Sequence, residues 1–309
     1  MKPAKKLRNW LLFLMVSFMV RLLRALPRKP AILMTRNLGR MAFYVDGKDR
    51  RRTFRHLSMA FGKEKSRAEI VDLARRVFLH FGTTAADAVR IPKLIREGLD
   101  SLITVEGREH LEKAITPNRG FLTITAHFGN WELMAAWAAQ QGYRFKVIGA
   151  PSLDDRFDKL ITENRGRAGY SQISRGKGMR ELIQSIKKGY SIGILIDQDT
   201  KVEGVFVKFF GRWAHTAVGP VVLAQKYRMS IVPAFIVMKE DLSYHLEVQP
   251  PVELESTGDP VRDLAVNTQK CSDRCENIIR RHPEQWVWMH RRWKKQPRPG
   301  DALNIEKAF

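Results

Sequence analysis

Five positions separate His127 from Glu132 in the stretch TITAHFGNWEL, Thr123–Leu133. An imidazole changes charge near neutral pH, and a carboxylate beside it selects the tautomer and stabilises the imidazolium. The pair therefore has the parts of a general base and its orienting partner. The Gly-x-Ser-x-Gly match at Gly189–Gly193 leads into the apolar run SIGILI instead of following a strand into a helix, so it does not read as a nucleophile turn, and the two cysteines lie far away at Cys271 and Cys275. The hydroxyl to be activated would then belong to a substrate. A helix-capping glutamate and a satisfied interior histidine would also account for the two residues.

Other groups could complete such chemistry. The backbone amides of Gly129 and Asn130, at the start of a helix, are candidate oxyanion donors. Asp197 and Asp199 follow an apolar run, SIGILI, which puts both on the sheet edge expected for His127 as candidate substrate contacts; their Asp-x-Asp spacing also fits the metal site of many glycosyltransferases. Cys271 and Cys275 lie one helical turn apart. With His282 they offer too few metal ligands and read as reduced thiols. In WVWMHRRWK, Trp286–Lys294, basic and aromatic residues mix as they do at a membrane interface. The same mixture occurs in single-stranded nucleic-acid binders, but no nucleic-acid fold signature accompanies it.

These residues need elements to hold them. From GFLTIT onward, short β-rich runs alternate with helical patterns: helix 131–141, FKVIGA, helix 154–167, helix 178–188, SIGILI, helix 218–227, SIVPAFIV, YHLEVQ and helix 260–281. Such alternation predicts an α/β fold with a mostly parallel sheet covered by helices on both faces. The nearly continuous apolar runs FLTIT and IGILI suit buried central strands. His127 then falls at a strand's carboxyl end, where open α/β sheets place ligands, and Glu132 falls in the first turn of a helix. Between residues 66 and 91 apolar residues recur at helical spacing behind a Ser66–Glu69 capping box, predicting a helical region before the α/β core.

Of 309 residues, 54 are Lys or Arg and 32 Asp or Glu, a net charge of +22 that favours anionic partners. Eight basic residues and no acidic one lie between Lys2 and Lys29, around WLLFLMVSFMV. A run of eleven residues, apolar but for one serine, is too short to cross a hydrocarbon core of roughly 30 Å. No small-residue cleavage site follows, so the segment is expected to be a retained helix lying in an anionic membrane face. The organisation expected is a membrane anchor over residues 1–29 and a catalytic domain over 30–297, helical over 30–100 and α/β over 101–297. A frayed tail over 298–309 completes it.

HFGNWE resembles the His-x4-Asp/Glu motif of the glycerolipid acyltransferase superfamily, in the form found in bacterial lipid A biosynthesis acyltransferases. Further segments are similar in family order: RHLSMAFG, ISRGKGMRELIQSIKKG, ILIDQD, KFFGRWAHTAVGPVVLA, IVPAF and HPEQWVWMHRRWK. The resemblance implies transfer of an acyl chain from a thioester, acyl carrier protein or coenzyme A, to a hydroxyl of a lipid A precursor or related glycolipid. It also implies His127 as base with Glu132, Arg175 on acceptor phosphate or carboxylate, and Asp197 at the family's acidic position. No metal or organic cofactor, an acidic carrier protein and an anionic membrane as partners, and a place on the cytoplasmic face of the inner membrane complete what it implies.

Overall fold

The computed structural model describes residues 3–152 and 154–297. Four helices come first: α1 (Pro3–Ala25), α2 (Arg28–Val45), α3 (Gly47–Phe61) and α4 (Arg67–Glu97). The α1 helix is continuous through Arg21 and Arg24 and stops before Pro27, which cannot extend it. Among the described residues, no helix is long and apolar enough to cross a membrane. Much of α1 is uncovered: Trp10, Leu11, Met15 and Phe18 are exposed. The Ser66–Glu69 capping box opens α4 as its sequence predicts, and the helix runs on through Pro92, longer than the periodic stretch.

The rest follows as β1 (Ile103–Glu106), α5 (Arg108–Ala114), β2 (Leu122–Thr125), α6 (Trp131–Gln140), β3 (Phe145–Gly149) and α7 (Asp155–Arg167). Next come β4 (Ser171–Ser174), α8 (Met179–Lys187), β5 (Ser191–Leu195), β6 (Gly204–Phe209) and β7 (Arg212–Ala217). The last are α9 (Gly219–Tyr227), β8 (Ile231–Met238), β9 (Tyr244–Val248) and α10 (Pro260–Arg281). Seven strands form one sheet in the order β1-β9-β8-β2-β5-β3-β4. All its pairings are parallel except β8 with β9. Every residue of β2 is buried, because helices cover both sides. Leu122, Ile124, Ala126 and Phe128 face one core with α9 and α10; Phe121, Phe145 and Val147 face another with α6.

Two pieces differ from the pattern in the sequence. β6 and β7 form a separate antiparallel hairpin where no strands were expected. Its two-residue turn places Phe210 and Gly211 at φ +51° and +68°, so a bulky residue takes a conformation usually left to Gly or Asn. The WVWMHRRWK segment is not an interfacial surface: Trp286, Trp288 and Arg292 are at most 1% exposed. Arg292 is held inside by donating to the His215 carbonyl and the Thr216 hydroxyl, and it lies over the Phe209 ring. Cys271 and Cys275 are buried free thiols on α10, where burial raises both and pushes Cys271 up to about 12. The expected tail, 298–309, lies outside the described residues.

Candidate active site

His127 stands two residues beyond the end of β2, and Asp197 two beyond the end of β5. These strands are parallel neighbours with Thr125 opposite Leu195, so the two residues meet at the same carboxyl edge. The His127 Nδ1–H donates to Asp197 Oδ1 at 2.8 Å, and the His127 backbone N–H donates to Oδ2 at 2.9 Å. The indole of Trp286 donates to the same Oδ2 at 2.7 Å. Burial would raise the Asp197 carboxyl, but the His127 ring beside it outweighs that and holds it well below the usual range. An ionised Asp197 fixes the proton of His127 on Nδ1 and leaves Nε2 as the basic nitrogen.

The far side of the ring meets a pair of groups that carried no assignment from sequence. The Gln198 amide donates to His127 Nε2 at 3.2 Å and to His290 Nε2 at 2.9 Å. The His290 ring packs edge-on against His127 with centroids 4.6 Å apart. Burial, then the neighbouring His127 ring, lowers His290 to about 4, so it is neutral at neutral pH. Donor atoms of His127, Asp197 and His290 lie within 4.8 Å of one another, a spacing a metal ion could use. Both Asp197 oxygens are already engaged, so an ion taking that carboxylate would displace the His127 or Trp286 bond.

The segment around Trp286 is bonded to the turn that carries His127. Phe128 and Trp286 form an antiparallel bridge, and the Val287 N–H donates to the His127 carbonyl at 3.1 Å. Gly129 sits at φ +56°, and a Cβ there would fall 1.8 Å from the Ile236 carbonyl oxygen, so only glycine fits. Its N–H donates to the Gln285 carbonyl at 2.9 Å and is therefore spent, contrary to its expected oxyanion role. Asn130 caps α6 as predicted, accepting from the Leu133 N–H at 3.2 Å.

Glu132 does not orient His127. Its carboxylate takes a two-pronged contact from the Arg165 guanidinium, with Nε at 2.9 Å, and a hydrogen bond from the Tyr170 hydroxyl at 2.6 Å. The first turn of α6 aims it towards α7 and β4, away from Asp197. Burial would raise this carboxyl, but Arg165 outweighs it and holds the group below its ordinary value. Burial also lifts the Tyr170 hydroxyl well above its usual range. An apolar cavity of about 340 Å³ opens beside the ion pair, walled by Val16 and Val20 of α1 and Phe157, Leu160 and Ile161 of α7.

Two other candidates lie apart from this centre. Arg175 is exposed at the end of β4, two strands beyond β5, and its backbone N–H donates to the Gly149 carbonyl. Asp199 accepts from the Lys295 backbone N–H at 2.9 Å and lies 3.4 Å from His215. Asp197 and Asp199 thus serve different partners, which removes the convergence an Asp-x-Asp metal site requires.

Three shielded histidines, His56 and His80 buried and His290 half-buried, make folding sensitive to acid. His56 (its Nδ1–H donates to the Trp288 carbonyl), His80 and His290 are lowered to about 4, about 3 and about 4, in each case mainly by burial. Unfolded, each binds a proton near pH 6.5, so the unfolded chain holds more protons below that value. Their stabilisation is complete above pH 6.5 and is lost as pH falls towards 4. The melting temperature should therefore drop steadily from pH 7 to pH 5, before the carboxylates begin to titrate. A flat melting temperature over that window would contradict the shielded, neutral placement.

The family described as bacterial lipid A biosynthesis acyltransferase matches residues 2–295. A lipid A biosynthesis lauroyltransferase of Escherichia coli is 32% identical over 198 residues, 62% of each chain. A phosphatidylinositol mannoside acyltransferase of Mycolicibacterium smegmatis is 24% identical over 278 residues, 88% of each chain. The solved 1-acyl-sn-glycerophosphate acyltransferase of Thermotoga maritima overlays at a TM-score of 0.39 with 13% identity, covering 84% of this chain and 99% of that one, a likeness too weak to build on.

Proposed function

The chain belongs to the bacterial lipid A biosynthesis acyltransferase family, and from that we propose that it moves a fatty acyl chain from a thioester to a hydroxyl of a phosphorylated glycolipid. The observation that carries this reading is the His127–Asp197 hydrogen bond at 2.8 Å, which leaves Nε2 as a base at the sheet edge. His127 Nε2 takes the acceptor hydroxyl proton as that hydroxyl displaces the Gln198 amide. The oxygen attacks the thioester carbonyl and forms a tetrahedral oxyanion. Collapse breaks the carbon–sulfur bond, and the departing thiolate takes the proton from His127. No acyl-enzyme forms. Gln198, freed from His127, and the Asn130 N–H are the oxyanion donors in this scheme. The apolar cavity beside Glu132 suits a hydrocarbon chain. Arg175 is a candidate for a more distant acceptor phosphate.

Incubating the protein with an acyl thioester and a phosphorylated glycolipid acceptor tests the reading by mass spectrometry. The acceptor should gain one acyl group with loss of its hydroxyl hydrogen. Because every step uses the chain's own side chains and backbone amides, the gain should persist in excess chelator. Loss in chelator with recovery on adding Mg²⁺ would overturn the mechanism.

Delivery to lipid is assigned to the N-terminal helices, at the cytoplasmic face of the inner membrane. α1 exposes Leu7, Trp10, Leu11 and Phe18, and α2 exposes Leu33, Met41 and Val45, with Arg8, Arg21 and Arg36 exposed on the same helices. Each basic residue near an anionic surface adds about 1 kcal/mol. Full-length protein should bind anionic vesicles better than neutral ones, and salt should weaken the binding. Equal binding to neutral and anionic vesicles, unaffected by salt, would contradict an electrostatic share.

A further inference from the structure

A basic strip runs along α3 into the start of α4. Between Lys48 and Arg67 there are eight Lys or Arg and two acidic residues. Arg52 is tied to Asp49, and Glu64 to Arg280. Lys48, Arg51, Arg55, Lys63, Lys65 and Arg67 have no ion pair among the described residues, and all but half-buried Lys65 are exposed. The strip ends in a groove of about 730 Å³ between the α3–α4 connection and the β6–β7 turn, where exposed Arg212 adds positive charge and Arg280 is paired with Glu64 and Glu276.

The other end of the strip reaches the active site. Arg52 donates to the carbonyl of Met289, the residue before His290, at 2.8 Å. His56, one turn on, is bonded to the Trp288 carbonyl. At the groove end, Arg280 stacks on Phe210, which packs on Trp288, which packs on Trp286, the donor to Asp197. Positive charge is thus laid from the groove to the edge of the catalytic centre.

The strip differs from the lipid-facing helices in one respect. The exposed large apolar residues of α1 and α2 end at Val45 and none follows until Val71. A surface rich in charge but without apolar residues to insert suits a soluble, acidic partner better than a bilayer. We infer that α3 and the groove dock the acidic carrier protein that presents the acyl thioester to His127. The inference rests on the thioester reading given above.

The test compares two donors, acyl carrier protein loaded with a lauroyl chain and lauroyl-coenzyme A. The variants are R51E, R55E, K63E and R67E, with R55Q and K63Q as milder changes. All are exposed, so melting temperatures should hold. For the carrier-protein donor the charge reversals should raise KM by about tenfold or more with little change in kcat, because long-range complementarity acts on encounter. The neutral variants should give smaller increases, and KM for coenzyme A should move far less. Equal increases for both donors, or unchanged KM with reduced binding to anionic vesicles, would overturn the docking surface. Absence of transfer from either donor by the unmodified protein would instead sink the acyltransfer reading itself.

Discussion

Replacing Asp197 with asparagine should leave the protein folded and reduce acyl transfer on the order of a thousandfold, the scale of a general base held in the wrong tautomer. Asp197 accepts from His127 Nδ1, from the His127 backbone and from the Trp286 indole. Asparagine keeps one acceptor oxygen and can keep part of this cradle. If its amide nitrogen faces Nδ1, the imidazole proton shifts to Nε2, where the base is needed. Combining Asp197→Asn with His127→Gln should cost little more than His127→Gln alone, because the two act as one unit. Fully additive losses would mean that Asp197 works on something other than His127. A turnover measurement on purified variants, with melting curves as controls, decides between these outcomes.

Glu132→Ala should act through stability first. It leaves the Arg165 guanidinium, 14% exposed, without its carboxylate and removes the acceptor of the Tyr170 hydroxyl. Losing one partner of such a shielded pair costs roughly 3 kcal/mol, so the melting temperature should fall by roughly 5–10 °C. Arg165→Ala should do similar damage, and the double variant should recover part of the loss. Transfer should fall too, since the pair pins the first turn of α6 behind His127 and walls the apolar cavity. The contrary result is clear: unchanged melting with a loss of turnover as deep as that of His127→Gln would return Glu132 to the reacting atoms.

That contrast marks what the sequence could and could not show. His127 and Asp197 were legible as chemical groups at the carboxyl ends of apolar strands, and the strand–helix alternation predicted the sheet that holds them. Their partnership was not legible, because it depends on β2 and β5 being neighbours, a choice made by chain segments 70 residues apart. Glu132 is near His127 in sequence, yet the helix turn aims it at Arg165, 33 residues on. The Trp286–Lys294 segment carries the composition of a membrane interface but folds inward, because Gln285 and Val287 bond to the backbones of Gly129 and His127. Nothing local to WVWMHRRWK announces those bonds. The β6–β7 turn was hidden for a related reason: its first residue is a phenylalanine at positive φ, where turn chemistry would favour asparagine or aspartate. Gln198 and His290 lay inside segments similar to the family, but their meeting at His127 Nε2 exists only in three dimensions.

In the mechanism proposed above, His127 is the base that activates the acceptor hydroxyl. The most direct measurement is the single-turnover rate of His127→Gln with acyl thioester and glycolipid acceptor both saturating. The rate should fall on the order of ten-thousandfold, while acceptor binding and melting temperature stay near those of the unmodified protein. A rate within tenfold of the unmodified protein, with the variant folded, would show that another group takes the proton.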